Sequence, residues 1–317
     1  MTWLRYCSRI SCVMIFSSLS FGGAEPQKSV HCGDTLNDAT IDYVLTSNLT
    51  CSTDPAVGIA ADNIRFDLGG FTIKGTGKGT AILILSTSGT GTTLLNAHVH
   101  RGTIRGFAIG IDLAFVNNSH FERLEVSSTH VVPPTLPLSA AIRMGGSSNN
   151  NLVDRNELAD NDVGILVLGP GNVLIKNKIQ SSTLGIVVES PGSNFIFENT
   201  ISSSIDSGGR GTAITLGSSR SNTVQNCILE NNDIGISVSG PGAQANIIRG
   251  NTATGNNVYG IQMDLRGTSN TITENVALRN GVDDLFDFGQ LVNGMGVGCV
   301  NTWLDNTFNT ANKSCIH

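Results

Sequence analysis

Three stretches of the chain place an imidazole or carboxylate directly before an arginine: His100-Arg101, Glu122-Arg123 and Asp154-Arg155. Two more histidines, His98 and His120, stand two residues ahead of the first two pairs. In a sequence with only 14% charged residues, this concentration is uneven. A guanidinium grips a carboxylate through paired, charge-assisted hydrogen bonds. A histidine or carboxylate beside it can move a proton next to a bound uronate carboxylate while the arginine stabilises the developing charge. His100, Glu122 and Asp154 are therefore candidate catalytic groups. Arg101, Arg123, Arg155 and His120 are candidate substrate-binding groups, with an acidic polysaccharide or cell-surface glycan as the expected partner. The competing expectation is a row of ordinary surface ion pairs, each contributing about 0–1 kcal/mol.

Other chemistries find less support. The net charge of −6 gives no general electrostatic case for nucleic acid. No Gly-rich phosphate loop ending in Lys-Ser/Thr occurs. No Cys-x-x-Cys occurs and the cysteines are not interleaved with histidines at zinc spacing, so no metal site is assigned. Copper prefers His, Met and Cys, and His98, His100 and His120 are the only tight group, so periplasmic copper handling is a minor alternative. Calcium is the cation that Asp283, Asp284 and Asp287 would take, although a solvated acidic loop is the expected reading there.

The elements that must position these residues are repeats. Asn-x-(Ile/Val/Leu)-x-x-Asn-x-(Ile/Leu) units align at Phe66, Val99, Phe121, Val153, Leu174, Ile196, Val224, Ile248, Ile272 and Trp303, spaced by 21 to 33 residues. Short alternating segments such as Gly164-Ile165-Leu166-Val167 and Gly235-Ile236-Ser237-Val238 precede most of them. Each unit holds two or three strands of three to five residues, too short for a crossover helix. Coils of this kind, stacked about 4.8 Å apart, form a parallel β-helix. The column Asn156, Asn177, Asn199, Asn226, Asn251, Asn275 and Asn306 is then a structural ladder of stacked amides. On successive coils, His98 and His120 should be near neighbours.

Composition agrees. The 37 Gly and 31 Asn are about a fifth of the 317 residues and disfavour helix interiors. Arg5 and Arg9 precede an apolar run from Ile10 to Phe21 and then Gly22-Gly23-Ala24, the pattern of a secretory signal peptide. That run is too short to span a bilayer, so we expect no membrane span and a secreted or periplasmic monomer. Disulfides are permitted in such compartments. Cys32 with Cys51 and Cys299 with Cys315 are the local pairs, which leaves Cys227 free. Asp34 to Leu45 reads as a short amphipathic helix capping the first coil, with Leu36, Ile41, Val44 and Leu45 as its apolar side. Two insertions interrupt the body, Ser127 to Ser139 with His130, Pro133, Pro134 and Pro137, and Ser202 to Gly211 with Asp206 and Arg210. Such loops would wall a lateral cleft.

The run Asn63-Ile64-Arg65-Phe66-Asp67-Leu68-Gly69-Gly70-Phe71-Thr72-Ile73-Lys74-Gly75 resembles the first-coil signature of pectin-lyase-like right-handed β-helix proteins. The repeated units resemble generic β-helix repeats and the related periplasmic family linked to copper-site maturation in nitrous oxide reductase. The resemblance covers roughly residues 30–316. It implies an all-β, right-handed parallel β-helix of about ten coils, with a helical N-terminal cap and a disulfide-closed C-terminal cap. The expected boundaries are 1–24 signal peptide, 25–56 N-terminal cap, 57–298 coils and 299–317 last coil and cap. It implies activity only broadly, since the group includes lyases, hydrolases, epimerases and adhesins. The lyases' Asp-rich calcium cluster, the pectin hydrolases' Asn-Thr-Asp, Asp-Asp and Gly-His-Gly motifs, and the alginate epimerases' Asp-Pro-His-Asp are not found. The expected function is an exported protein interacting with acidic polysaccharide, as a binding module or as a divergent uronate lyase or epimerase. A non-catalytic structural or adhesion solenoid is the rival.

Overall fold

The computed structural model describes residues 26–85, 93–129, 139–190, 192–292 and 295–317, with two short strands, Cys7–Ser8 and Ser11–Cys12, ahead of them. The rest of the expected leader and the proline-bearing part of the first insertion, 130–138, lie outside the described residues. Among the described residues there is no helix.

The chain winds as a parallel β-solenoid of about ten turns. One coil comprises Val163–Val167, Val173–Ile175 and Lys178–Gln180, and each of these strands pairs in parallel with its equivalent one coil on. The first strands build an eleven-stranded sheet running from Asp34–Leu36 to Asp283–Asp287. The second strands form a second wall ending at Thr302–Leu304. A third wall runs from Leu49–Thr50 to Val276–Leu278. In two coils the second and third strands merge into single eight-residue strands, His98–Arg105 and His120–Ser127.

The apolar residues expected to stack do so in unbroken register. Phe66 pairs with Val99, Val99 with Phe121, and so on through Val153, Leu174, Ile196, Val224, Ile248 and Ile272 to Trp303. Each is buried. Removing such a side chain from water contributes about 1.5–3 kcal/mol, and only neighbouring coils can do it.

The expected N-terminal helix is not formed. Asp34–Leu36 pairs with Val57–Ile59 in the first sheet, and Asp42–Val44 pairs with Arg65–Asp67 in the second wall. Tyr43 is the buried residue, opposite Phe66, while Ile41 and Val44 are only half-buried. A ladder partner already in extended register outweighs the helical spacing of four apolar residues. The chain's two expected disulfides are present, Cys32 to Cys51 and Cys299 to Cys315, and Cys227 is a buried free thiol.

Asparagine ladders line the inside of the corners. Asn156 N–H donates to Asn177 Oδ1 at 3.0 Å and Asn177 N–H to Asn199 Oδ1 at 2.9 Å. The column resumes as Asn251, Asn275 and Asn306. Asn226 is not in it. Asn226 is exposed with φ 53°, at the left-handed corner, and Cys227 takes the ladder position, its N–H donating to Asn251 Oδ1 at 2.9 Å. Asn199 donates to the Cys227 sulfur in place of the usual amide oxygen, and burial pushes the thiol up to about 12. A second column runs Asn151, Asn172, Asn194, Asn222, Asn246, Asn270 and Asn301. A third runs Asn232, Asn256 and Asn280.

Buried carboxylates end two of these columns. Asp284 Oδ1 accepts the backbone and side-chain N–H of Asn280, and its Oδ2 accepts the N–H groups of Asn309 and Thr310. Asp287 Oδ2 accepts from Asn301 Nδ2 at 3.2 Å and Trp303 Nε1 at 2.8 Å. The expectation of a solvated acidic loop at 283–287 is therefore corrected. Asp283–Asp287 is a strand of the first sheet, and Asp284 and Asp287 spend their oxygens on N–H donors. Burial would raise the Asp284 carboxyl, but the donors of Asn280, Asn309 and Thr310 outweigh it and hold it below the ordinary range.

Two outcomes follow. Asn251→Ala leaves Cys227 N–H without a partner and takes the side-chain donor from Val224 C=O, at about 1–3 kcal/mol for the orphaned N–H. Asn226→Gly, at an exposed left-handed corner, should stay within about 0.5 kcal/mol. Thermal melts of the two variants distinguish the ladder residue from its neighbour, and equal losses would refute the register. Because the folded Asp284 is the stronger acid, its stabilisation is complete above its unfolded value near about 3.9 and is lost as pH falls through the folded one. The gap in melting temperature between the parent and Asp284→Asn should therefore be wide at neutral pH and should close progressively as pH falls below about 4.

Candidate functional site

The residues beside each buried rung must point outward, because side chains alternate along a strand. On the second wall this aligns Arg65, His98, His120 and Leu152 in one outward column. Asp67, His100, Glu122 and Asp154 form the next. The residue after each of the last three turns the corner in the left-handed region: Arg101 (φ 60°), Arg123 (φ 53°) and Arg155 (φ 53°). Lys176 occupies the same corner one coil on (φ 55°). A non-glycine residue there costs about 1–2 kcal/mol, which the buried ladder beside the corner offsets. The result is one cation per coil over four coils. The three arginine side chains are 48–57% exposed.

The imidazoles stack. His98 and His120 lie ring over ring with centroids 5.0 Å apart and planes within 6°, and His98 and His100 are 4.4 Å apart. Glu122 is the centre of the strip. Its Oε1 lies 3.3 Å from His98 Nε2 and its Oε2 accepts from Arg155 Nη2 at 3.0 Å, with Arg123 Nε 3.7 Å away. Arg155 also pairs with Asp154 at 2.6 Å. Asp154 Oδ2 is 4.0 Å from His120 Nε2, an atom that is buried and has no hydrogen-bond partner.

Burial pulls all three imidazoles below the ordinary histidine value, His120 down to about 4. Burial likewise raises Asp154. Burial alone would raise Glu122, but His120, Arg123 and His98 outweigh it and keep the carboxyl low. At neutral pH the strip therefore combines neutral imidazoles with an ionised Glu122. The nitrogen and oxygen ligand atoms of His98, His120 and Glu122 lie within 4.8 Å of one another, the arrangement of a metal-ligand set.

The structure thus brings together His98, His100, His120, Glu122, Asp154, Arg123 and Arg155. It sets Arg101 one step aside, paired with Asp67 through Nε at 3.1 Å and through Nη2. Asp67 was missed by the sequence reading and is also 3.7 Å from His100 Nδ1. Its signal was present, since it flanks the Phe66 rung just as Glu122 flanks Phe121. A second omission is apolar. Two coils beyond Asp154, the outward positions hold Phe195 and Phe197, stacked at 5.4 Å, next to Val173 and Ile175. On the first sheet, Arg143 and Asp112 form a separate bidentate pair at 2.5 and 2.8 Å. The second insertion folds on itself: Asp206 accepts from Gly208 and Arg210 N–H groups, and its own N–H donates to Asp233.

A stacked parallel solenoid carrying a charged lateral strip defines a β-helix protein. Residues 140–317 match the family described as "Right handed beta helix region", and the chain belongs to that family. Comparison with curated protein sequences gave no match. Among solved structures, the chain is similar to the catalytic unit of a thermostable GH87 alpha-1,3-glucanase from Streptomyces thermodiastaticus strain HF3-3, at 12% identity and a TM-score of 0.57. That match covers 91% of this chain and 64% of the glucanase unit, so the chain spans less than two thirds of it. It is also similar to the A-module of the Azotobacter vinelandii mannuronan C-5 epimerase AlgE6, at 12% identity and a TM-score of 0.56, covering 92% and 91% of the two chains. At such identity these likenesses show the fold.

The half-buried His120 imidazole gives a direct check. In ring Cε1–H spectra, the resonance lost in His120→Asn should titrate near pH 4 in the parent. Titration at the ordinary value, about 6.5, would mean that His120 is open to water.

Proposed function

We propose that this is an exported β-helix protein that binds an acidic polysaccharide along the charged strip of its second wall. The observation that carries the reading is the column Arg101, Arg123, Arg155 and Lys176, one cation per coil at equivalent corners. Coils rise by about 4.8 Å, close to the length of one pyranose unit, so a uronate chain lying along the axis meets a cation at each sugar. Half-buried Phe195, stacked on the buried Phe197, continues the strip as an apolar platform for sugar rings. Disulfides at both ends fit an oxidising compartment, in keeping with the predicted leader and a secreted or periplasmic location. Polysaccharide-acting proteins of the same fold, the glucanase and the epimerase, support the substrate class.

The strip also holds groups for proton abstraction beside a uronate carboxylate. Of the candidates, His100 fits best. Asp67 faces its Nδ1, which leaves Nε2 as the basic nitrogen, while Glu122 is kept a weak base by its cationic neighbours. A uronate lyase or epimerase is the activity this supports. One observation favours the rival, a non-catalytic binding or adhesion solenoid: Arg155 and Arg101 already pair with carboxylates of the strip. An ultraviolet assay for unsaturated uronate product, with a product epimer analysis, separates the two.

Binding itself is tested by Arg123→Asn with Arg155→Asn, since asparagine is tolerated at left-handed corners. Losing two charge-assisted contacts of about 1.5–3 kcal/mol each should weaken polyuronate binding more than tenfold, with the melting temperature nearly unchanged. Binding should also weaken with added salt. A double variant that binds as well as the parent would sink the proposal.

A further inference from the structure

One polar atom in the strip has no partner. His120 Nε2 is buried and has no hydrogen-bond partner, which is unfavourable for a polar atom. It lies 4.0 Å from Asp154 Oδ2, and one ligand atom from each of His98, His120 and Glu122 lies within 4.8 Å of the other two. The His98 Nε2 to Glu122 Oε1 distance, 3.3 Å, is long for an N–H···O hydrogen bond, which falls at about 2.7–3.2 Å. It matches the separation of two ligands on a tetrahedral zinc ion, about 3.3 Å for bonds of about 2.0–2.1 Å. The carboxylate is also pre-aimed. Arg155 holds Oε2 at 3.0 Å, so Oε1 is the oxygen turned toward the imidazoles.

We propose that His98, His120 and Glu122 form a binding site for one divalent transition ion of the zinc class. Two imidazoles and one carboxylate are a borderline donor set, which suits zinc and its neighbours and does not suit calcium or magnesium, ions that take six or more oxygens. Three protein ligands leave a fourth position for water or a ligand oxygen. Arg155 acts as a positioning residue for the carboxylate, in the way outer partners orient metal ligands. The parallel register explains why the set exists. His98 and His120 are Cα partners on adjacent coils, and Glu122 follows His120 by two residues on the same face, so adjacent coils supply all three ligands.

The site does not require the strip to bind polysaccharide, and the test keeps the two apart. The protein, free of any histidine tag and stripped with a chelator, is titrated with Zn2+ at neutral pH by calorimetry. The expected result is saturable uptake of one equivalent, unaffected by excess Ca2+ and retained in Cys227→Ser. His120→Asn and Glu122→Gln should each weaken it at least tenfold while circular dichroism stays that of the parent. Substitution with Co2+ gives a second readout, a visible spectrum without thiolate charge transfer that disappears in His98→Asn. Absence of saturable uptake, uptake preserved in His120→Asn and Glu122→Gln, or equal competition by Ca2+ would each overturn the assignment. If Zn2+ is taken up as expected and polyuronate is not bound, the metal site stands and the polysaccharide reading falls.

Discussion

The structure depends on a backbone problem at the corners. A coil that turns inward presents N–H and C=O groups to a dry interior, where an unpaired group costs about 1–3 kcal/mol. Asparagine solves this with one side chain. Its Oδ1 accepts the N–H of the coil before, and its Nδ2 donates to a carbonyl of a neighbouring coil, as Asn177 does with Asn156 and Val153. Repeated at three corners, this makes each coil an acceptor for the previous one and a donor to the next. Such a column cannot simply stop. At the C-terminal end, Asp284 and Asp287 supply oxygens that need no further partner coil, and Trp303 and the Cys299–Cys315 bridge close the core beside them.

Fixing the corners fixes the outer surface. Once Phe66, Val99, Phe121 and Val153 stack, the residues on either side of each are committed to straight outward columns. Residues as far apart in sequence as Asp67 and Asp154 then belong to one line across four coils. The left-handed corner contributes the arginines in the same way. Its geometry is demanded by the ladder, while its side chain is free of any packing duty, so its identity can be set by what lies outside.

Much of this was legible in the sequence because both signals are periodic. Every buried rung of the second wall, from Phe66 to Trp303, was placed by aligning Asn-x-apolar units. The same alignment carries two of the three asparagine columns, but only the unit's second asparagine was read as a ladder. At one coil it chose Asn226 over Cys227, because it keyed on residue type while the ladder keys on position. The 34–45 segment misled for the opposite reason: Leu36, Ile41, Val44 and Leu45 have helical spacing, and only the Tyr43–Phe66 register, a contact between coils, reveals strand. Asp283, Asp284 and Asp287 were read as loop acids because nothing in the sequence shows that Asn280, Asn301 and Trp303 converge on them. The strip was visible as residue types, but its internal wiring was not. His98 contacts Glu122, a diagonal neighbour, whereas its register partner is His120.

The distribution along the rod argues that the strip is more than filler. The ladder and the rungs constrain inward positions equally in every coil, so the fold alone gives no reason for outward positions to differ between coils. They do differ. The two outward columns carry imidazoles, arginine and carboxylates from Arg65 to Asp154, then Val173, Ile175, Phe195 and Phe197, then the polar, uncharged Thr223 and Gln225. Sheet propensity would be served as well by threonine throughout. Partly burying three imidazoles disfavours their protonation even with carboxylates beside them, a cost that the fold does not require. A charged section joined end to end with an apolar section, both on one face, is the feature on which the proposed binding of a carboxylate-bearing polysaccharide rests.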